Sequence, residues 1–201
     1  MSAIGDAPTG DGIDCRTVDA LTQAMAVWDA ENLHHCQRTA AYAASLCAEL
    51  GIEGEQAEEI RVGALLHDIG KMAVDLAVLR KPGGFDARER QDVQVHPASG
   101  AEILARRLPQ AVVDCAEYHH EQPDGAGYPH GLRAGEIPVA ALICRVADVL
   151  DSLTTAQPYR PAMSLERALA ELCDGAGTRY DERVVVALFA QIERRTLPAA
   201  A

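Results

Sequence analysis

At 201 residues the chain is long enough for one domain with a sizeable core. Its low aromatic content (4%), beside abundant Ala, Leu and Val, favours packed helices over a sheet sandwich. A formal net charge of −12 with no basic stripe repels long phosphate backbones, which excludes a nucleic-acid polymer as partner but leaves room for a small anion held by cations.

Residues 1–16, rich in Gly and Asp, read as a flexible leader, and 17–197 as a single domain. Helices are predicted over 17–29, with Val18, Leu21, Met25 and Trp28 as the apolar stripe, over 31–51 and over 55–69. Lys81-Pro-Gly-Gly84 is a turn, and the mixed charges of 86–93 suggest a solvated helix. His96-Pro97 opens a helix to about Leu108, followed by a helix over 110–121 and a Gly/Pro-rich loop over 123–136. The last predicted helices span 138–155, 164–173 and 181–195, with Ser164 and Asp181 as start signals. No strand pattern and no internal repeat is evident, and no apolar run approaches the roughly 18 residues of a membrane span. With no signal segment either, the expected compartment is the cytosol. Cys15, Cys36, Cys47, Cys115, Cys144 and Cys173 are scattered without a CxxC pair and read as buried reduced thiols.

The chain is organised around Arg61-Val-Gly-Ala-Leu-Leu-His-Asp-Ile-Gly-Lys71, read as the last turns of a helix ending at Gly70. Adjacent His67 and Asp68 sit about 100° apart on a helix, close enough to address one ion or ion pair. Imidazole and a bridging carboxylate suit a site for two or three divalent metals. Other segments offer further ligands. Glu31 and His35 are four apart and share a helical face, which favours His35 over the neighbouring His34. His96 starts a helix whose Gly100 permits close packing, and His119-His120 closes another beside a Gly-rich loop of the sort that forms lids. Asp148 stands among Ile143, Val146, Ala147, Val149 and Leu150, where a carboxylate is costly unless paired or metal-bound; Asp151 shares its face.

Together, His35-Cys-Gln-Arg38, His67-Asp-Ile-Gly-Lys71, His96-Pro-Ala-Ser-Gly-Ala-Glu102, His119-His-Glu-Gln-Pro-Asp-Gly-Ala-Gly-Tyr-Pro129 and Val146-Ala-Asp-Val-Leu-Asp151 resemble the HD-GYP family, the cyclic-di-GMP phosphodiesterase branch of the HD phosphohydrolases. The resemblance runs from about Glu31 to Phe189. It implies an all-α HD-domain helical bundle with a C-terminal helical extension carrying the GYP loop. It also implies two or three divalent ions, usually Fe or Mn, on His35, His67, Asp68, His96, His119, His120 and Asp148, with Asp68 bridging and Glu31 matching the carboxylate for a third ion. Lys71 matches a lysine on the scissile phosphate, and Asp151 and Arg160 match positions lining the nucleotide pocket. Gln157 departs from the family, which usually carries Arg there, so an Arg fork for phosphate or guanine becomes a neutral amide.

The implied reaction is hydrolysis of cyclic-di-GMP to pGpG, and to GMP where a third ion seats the terminal phosphate. Two cations roughly 3.5–4 Å apart acidify a shared water, whose hydroxide attacks phosphorus in line with the 3′ oxygen. Lys71 adds positive charge at the phosphoryl oxygens. The Asp124, Gly125, Gly127, Tyr128, Pro129 loop is expected to close over substrate or to dock a diguanylate cyclase, and a homodimer is compatible with the pattern. Two rival readings are a hydrolase of another cyclic dinucleotide, such as a mixed purine one, and a non-catalytic cyclic-dinucleotide-binding module.

Overall fold

The computed structural model describes residues 12–81, 83–156, 161–194 and 196–198. Gln157 and Arg160, expected at the nucleotide pocket, lie outside these, as do residues 1–11 of the expected leader. Among the described residues ten α-helices follow one another: α1 Cys15–Trp28, α2 Ala30–Glu49, α3 Gly54–Leu66, α4 Leu76–Leu79, α5 Ala87–Val93, α6 His96–Leu104, α7 Gln110–Tyr118, α8 Val139–Thr154, α9 Leu165–Asp174 and α10 Glu182–Arg194. A 3₁₀ helix, Ile69–Ala73, links α3 to α4. Among the described residues there is no strand beyond two isolated bridges, Asp124–Arg133 and Ala176–Tyr180, and no helix long and apolar enough to cross a membrane. The architecture is all-α.

Local signals set most boundaries. Asp14 caps α1 by accepting from the Arg16 amide, so the helix begins at Cys15, inside the expected leader. Asp29 caps α2 through the Glu31 and Asn32 amides, and Ser164 caps α9 through Arg167. The expected helix over 55–69 is shorter: α3 stops at Leu66, His67 is its C-cap, and Asp68 leaves helical geometry at φ −96 and ψ 6. Gly70 therefore does not end a helix. It lies where the 3₁₀ helix crosses α6, and a Cβ there would collide with His96 O and stand 2.5 Å from Gly100 N. Only glycine allows that approach, and the approach brings His96 against Asp68.

Two apolar clusters flank the site. One joins α2, α3, α7, α8, α9 and α10 around Leu46, Ile60, Ile143 and Leu188. The other joins α1, α2, α3, α6 and α7 around Met25, Leu66, Leu104 and Val112. Helices α2, α3 and α7 contribute to both, so the three elements bearing His35, His67 and His119 are fixed from either side. Truncating Ile143 or Leu188, each with no exposed surface, to Ala should cost about 2–5 kcal/mol. Cys36, Cys47, Cys115 and Cys144 are buried free thiols, whereas Cys15 and Cys173 are exposed, contrary to the expectation that the thiols are buried. Trp28, expected in the apolar stripe of α1, belongs to neither cluster.

Candidate metal centre

Five histidines and three aspartates from separate elements meet at one cleft. His35 comes from the second turn of α2, and His67 and Asp68 from the turn that ends α3. His96 is the first residue of α6, His119 and His120 follow α7, and Asp148 and Asp151 lie one turn apart on α8. His67, Asp68, His96 and His119 are buried, and His35 keeps 12% of its side chain exposed.

Two ligand groups result. Nitrogen and oxygen atoms of His35, His67 and Asp68 lie within 4.8 Å of one another, as do those of His96, His119 and His120. Asp68 divides between them. Its Oδ2 is 3.4 Å from His67 Nε2 and 3.9 Å from His35 Nε2. Its Oδ1 is 3.5 Å from His96 Nε2 and 3.9 Å from His119 Nε2. Asp148 Oδ1 joins the first group, 3.1 Å from His35 Nε2 and 3.9 Å from His67 Nε2.

The outer nitrogens show what the inner ones can do. His67 Nδ1 donates to Ala64 O (2.8 Å), His96 Nδ1 to Val93 O (2.7 Å) and His119 Nδ1 to Cys115 O (2.9 Å). With Nδ1 protonated, a neutral ring turns a lone pair inward at Nε2. The Nε2 atoms of His96 and His119 then face each other at 3.2 Å, with Asp68 Oδ1 beside them, buried and without a hydrogen-bond partner. Converging lone pairs and an orphaned carboxylate oxygen repel unless a cation lies among them. The donor set, imidazole and carboxylate, suits divalent transition metals. The residues fit the expected ions.

Asp148 and Asp151 grip both nitrogens of His35, Asp151 Oδ2 lying 2.7 Å from Nδ1. Asp151 is fully buried and also accepts from Arg38 Nε (2.7 Å) and Nη2 (3.0 Å). Expected at the nucleotide pocket, it is instead placed behind His35, its carboxylate taken up by the protein. His120 is the exception among the rings: its Nδ1 meets a donor, Arg145 Nη1, at 3.3 Å. Ligation through its Nε2 requires Arg145 to withdraw so that Nδ1 can carry the proton.

Without metal, charge is shared within the protein. Burial works against protonation of His35, but the hydrogen bonds it donates to Asp148 and Asp151 outweigh it and raise its pKa to about 9. Burial lowers His96 to about 4 and holds His119 and His120 well below the usual histidine range. Burial also opposes ionisation of Asp68, yet Lys71 and the surrounding histidines keep its pKa well below the usual carboxylate value. Lys71 Nζ lies 2.5 Å from Asp68 Oδ2 and 3.4 Å from Asn32 Oδ1.

The cleft has a volume of about 740 Å³, within the range of small-molecule sites. Glu31 and His34, both exposed, line it, and Glu31 belongs to neither ligand group. Tyr128 also lines the cleft, and its ring stacks on His120, with centroids 4.6 Å apart at 21°. The loop carrying Tyr128 is tied down rather than loose. The buried Glu121 carboxylate accepts from the His130 (2.7 Å), Gly131 (3.2 Å) and Leu132 (2.9 Å) amides. A Cβ on Gly127 would stand 2.5 Å from Gln122 N and 2.6 Å from His120 O, so the loop packs onto the His119–His120 turn only with glycine there. Asp124 accepts from the Ala126 amide at the exposed tip, and Gly125 takes φ 81.

Sequence reading did not single out Arg38, Glu121 or Arg145. The signals were present: Arg38 and Arg145 sit three residues from His35 and Asp148, on the same helical faces, and Glu121 borders the glycine-rich loop.

These features define a helical scaffold around a shared carboxylate and two histidine groups, suited to divalent metal ions. The HD domain family model matches residues 21–184, and the chain belongs to that family. It is 37% identical over 184 residues to the cyclic di-GMP phosphodiesterase response regulator RpfG of Xanthomonas campestris, covering 89% of this chain and 49% of that protein. It is 38% identical over 155 residues to the 3′3′-cGAMP-specific phosphodiesterase 3 of Vibrio cholerae, covering 77% of this chain and 34% of that one. The chain thus spans about half the length, or less, of these relatives. Among solved structures, the HDG"Y"P protein Bd1817 of Bdellovibrio bacteriovorus shares the fold, with a TM-score of 0.65 and 22% identity over 89% of this chain and 60% of that one.

Proposed function

We propose that this chain is a metal-dependent phosphodiesterase that opens cyclic-di-GMP to linear pGpG. The observation that carries the reading is Asp68, whose two oxygens address two separate histidine groups in a cleft of small-molecule size. His35, His67, Asp68 and Asp148 would hold one ion, and Asp68, His96, His119 and His120 the other, with iron or manganese the metals that such ligands suit. Divalent ions there supply the acidified water and the charge neutralisation that phosphodiester hydrolysis requires. We assign Glu31, which lines the cleft, to a third ion, which would extend the reaction to GMP.

The chain's own residues do the rest. Lys71, 25% exposed and anchored by Asp68 and Asn32, places its ammonium in the cleft to bind a non-bridging phosphoryl oxygen and offset charge gathering there. Asp151 and Arg38 orient His35. Tyr128 covers one face of His120 and keeps water from it. The tip of this loop is exposed at Asp124, Ala126 and Pro129, and we assign it to docking a diguanylate cyclase.

A mixed guanine–adenine cyclic dinucleotide is the second reading, favoured by the 38% identical relative named for cGAMP. Reduced protein loaded with Mn²⁺ or Fe²⁺ should release linear product from cyclic-di-GMP, 3′3′-cGAMP or both on product chromatography. Asp68→Ala should lose turnover and bound metal together. Fully metallated wild-type protein that hydrolyses neither compound would overturn the proposal.

A further inference from the structure

The chain is poor in aromatic residues, with one Trp, two Phe and five Tyr, and its core is built from Ala, Leu, Val and Ile. The single Trp and one of the two Phe are nevertheless kept out of that core. Trp28 and Phe85 are partly exposed, belong to neither apolar cluster, and both line the cleft that contains the metal ligands. A large ring left partly exposed in a cleft forgoes burial that a core position would give, and aromatic rings so placed are typical recognition surfaces.

The framework around them is fixed from two directions. Trp28 ends α1, and the next residue, Asp29, caps α2 and lies 3.6 Å from the Arg80 guanidinium. Arg80 ends α4, five residues before Phe85, and also lines the cleft. One cleft therefore holds two aromatic side chains and a cation contributed by α1 and by the segment after α4. Its catalytic wall is formed by α2, α6, α8 and the His119–Tyr128 segment. Such a wall suits a planar, electron-rich ring joined to a phosphate: the rings offer stacking faces and the guanidinium offers charge.

We infer that Trp28 and Phe85, flanked by Arg80, form a nucleobase platform that holds a purine of the substrate while its phosphodiester lies at Asp68 and Lys71. The inference rests on the phosphodiesterase reading and adds a base-recognition subsite to it. The platform sets affinity and leaves the metal ligands untouched.

Trp28 is the only tryptophan, so its emission reports the subsite directly. Wild-type protein is titrated with GMP, with AMP and with ribose 5-phosphate. The two nucleotides should quench the emission saturably, and ribose 5-phosphate should not. Phe85→Ala, which lies outside the helices and the core, should weaken GMP binding about 5- to 150-fold, the range of one lost base–aromatic stack. Trp28→Ala should raise KM for the cyclic dinucleotide by a similar factor at unchanged metal content, and Trp28→Phe should restore most of it. Absence of quenching, equal quenching by ribose 5-phosphate, or an unchanged KM in both alanine variants would refute the platform. Turnover of cyclic dinucleotides with no effect of these variants would leave the phosphodiesterase reading standing alone. Nucleotide quenching without any turnover would uphold the platform and remove that reading.

Discussion

Removing the carboxylate behind His35 tests how the centre is held. Asp151 is fully buried, with one oxygen 2.7 Å from His35 Nδ1 and the other 2.7 Å from Arg38 Nε. In Asp151→Ala the His35 ring loses the group that keeps its proton on Nδ1, and Arg38, 17% exposed, loses its fork partner. Breaking a buried ion pair from one side costs about 3–5 kcal/mol; the partial exposure of Arg38 sets the expectation at the lower end, about 3 kcal/mol. For a chain of this size that lowers Tm by about 6–12 °C. Loss of the outer partner of a metal-ligating histidine should also weaken metal binding about 10- to 100-fold. Asp151→Asn separates the two effects, since an amide oxygen can accept from His35 or from Arg38 but not serve both as a charge. It should fold with a smaller loss of Tm and still bind metal more weakly. Thermal melts of chelated protein, with elemental analysis after dialysis against graded free Mn²⁺, measure both quantities. Wild-type metal affinity in both variants would show that Asp151 does not position His35.

Three further outcomes are expected. Glu31→Ala should lower metal content per chain while leaving the Asp68-dependent ions bound, and an unchanged stoichiometry by elemental analysis would deny Glu31 an ion. Gly127→Ala, whose Cβ meets backbone at 2.5 Å, should displace the loop, lift Tyr128 from His120 and cost about 1–3 kcal/mol, read as a fall in Tm together with turnover. In metal-free protein His35 is raised from 6.5 to about 9, so its contribution is complete below pH 6.5 and is lost as pH rises through about 9. His96 is lowered from 6.5 to about 4, so its contribution is present above pH 6.5 and is lost as pH falls through about 4. Chelated protein should therefore melt highest near pH 6.5, and a flat Tm between pH 4 and 9 would contradict these assignments.

Much of the centre was legible in the chain. Helical periodicity and caps such as Asp29 and Ser164 follow from local chemistry, so helix positions could be read to within a few residues. An acid among Ile143, Val146 and Leu150 needs a partner wherever it folds, which marked Asp148. The i,i+4 relation between Glu31 and His35 singled out His35 over His34, and His35 is the ring that converges on Asp68 and Asp148.

Other features depended on contacts between distant segments. Sequence spacing shows that Asp148 and Asp151 share a face, but not that one meets Nε2 of His35 and the other meets Nδ1. Nor does it show that Trp28, regular in the apolar stripe of α1, turns out of the core into the cleft. Gly70 looks locally like a helix stop, and only the crossing of the 3₁₀ helix with α6 gives it another role, as the gap through which His96 reaches Asp68. Periodicity reports which side of a helix is apolar, because that preference is local to the helix. Which neighbour receives each side chain is settled by how helices distant in the chain pack, and that packing turns separate histidines and acids into one centre.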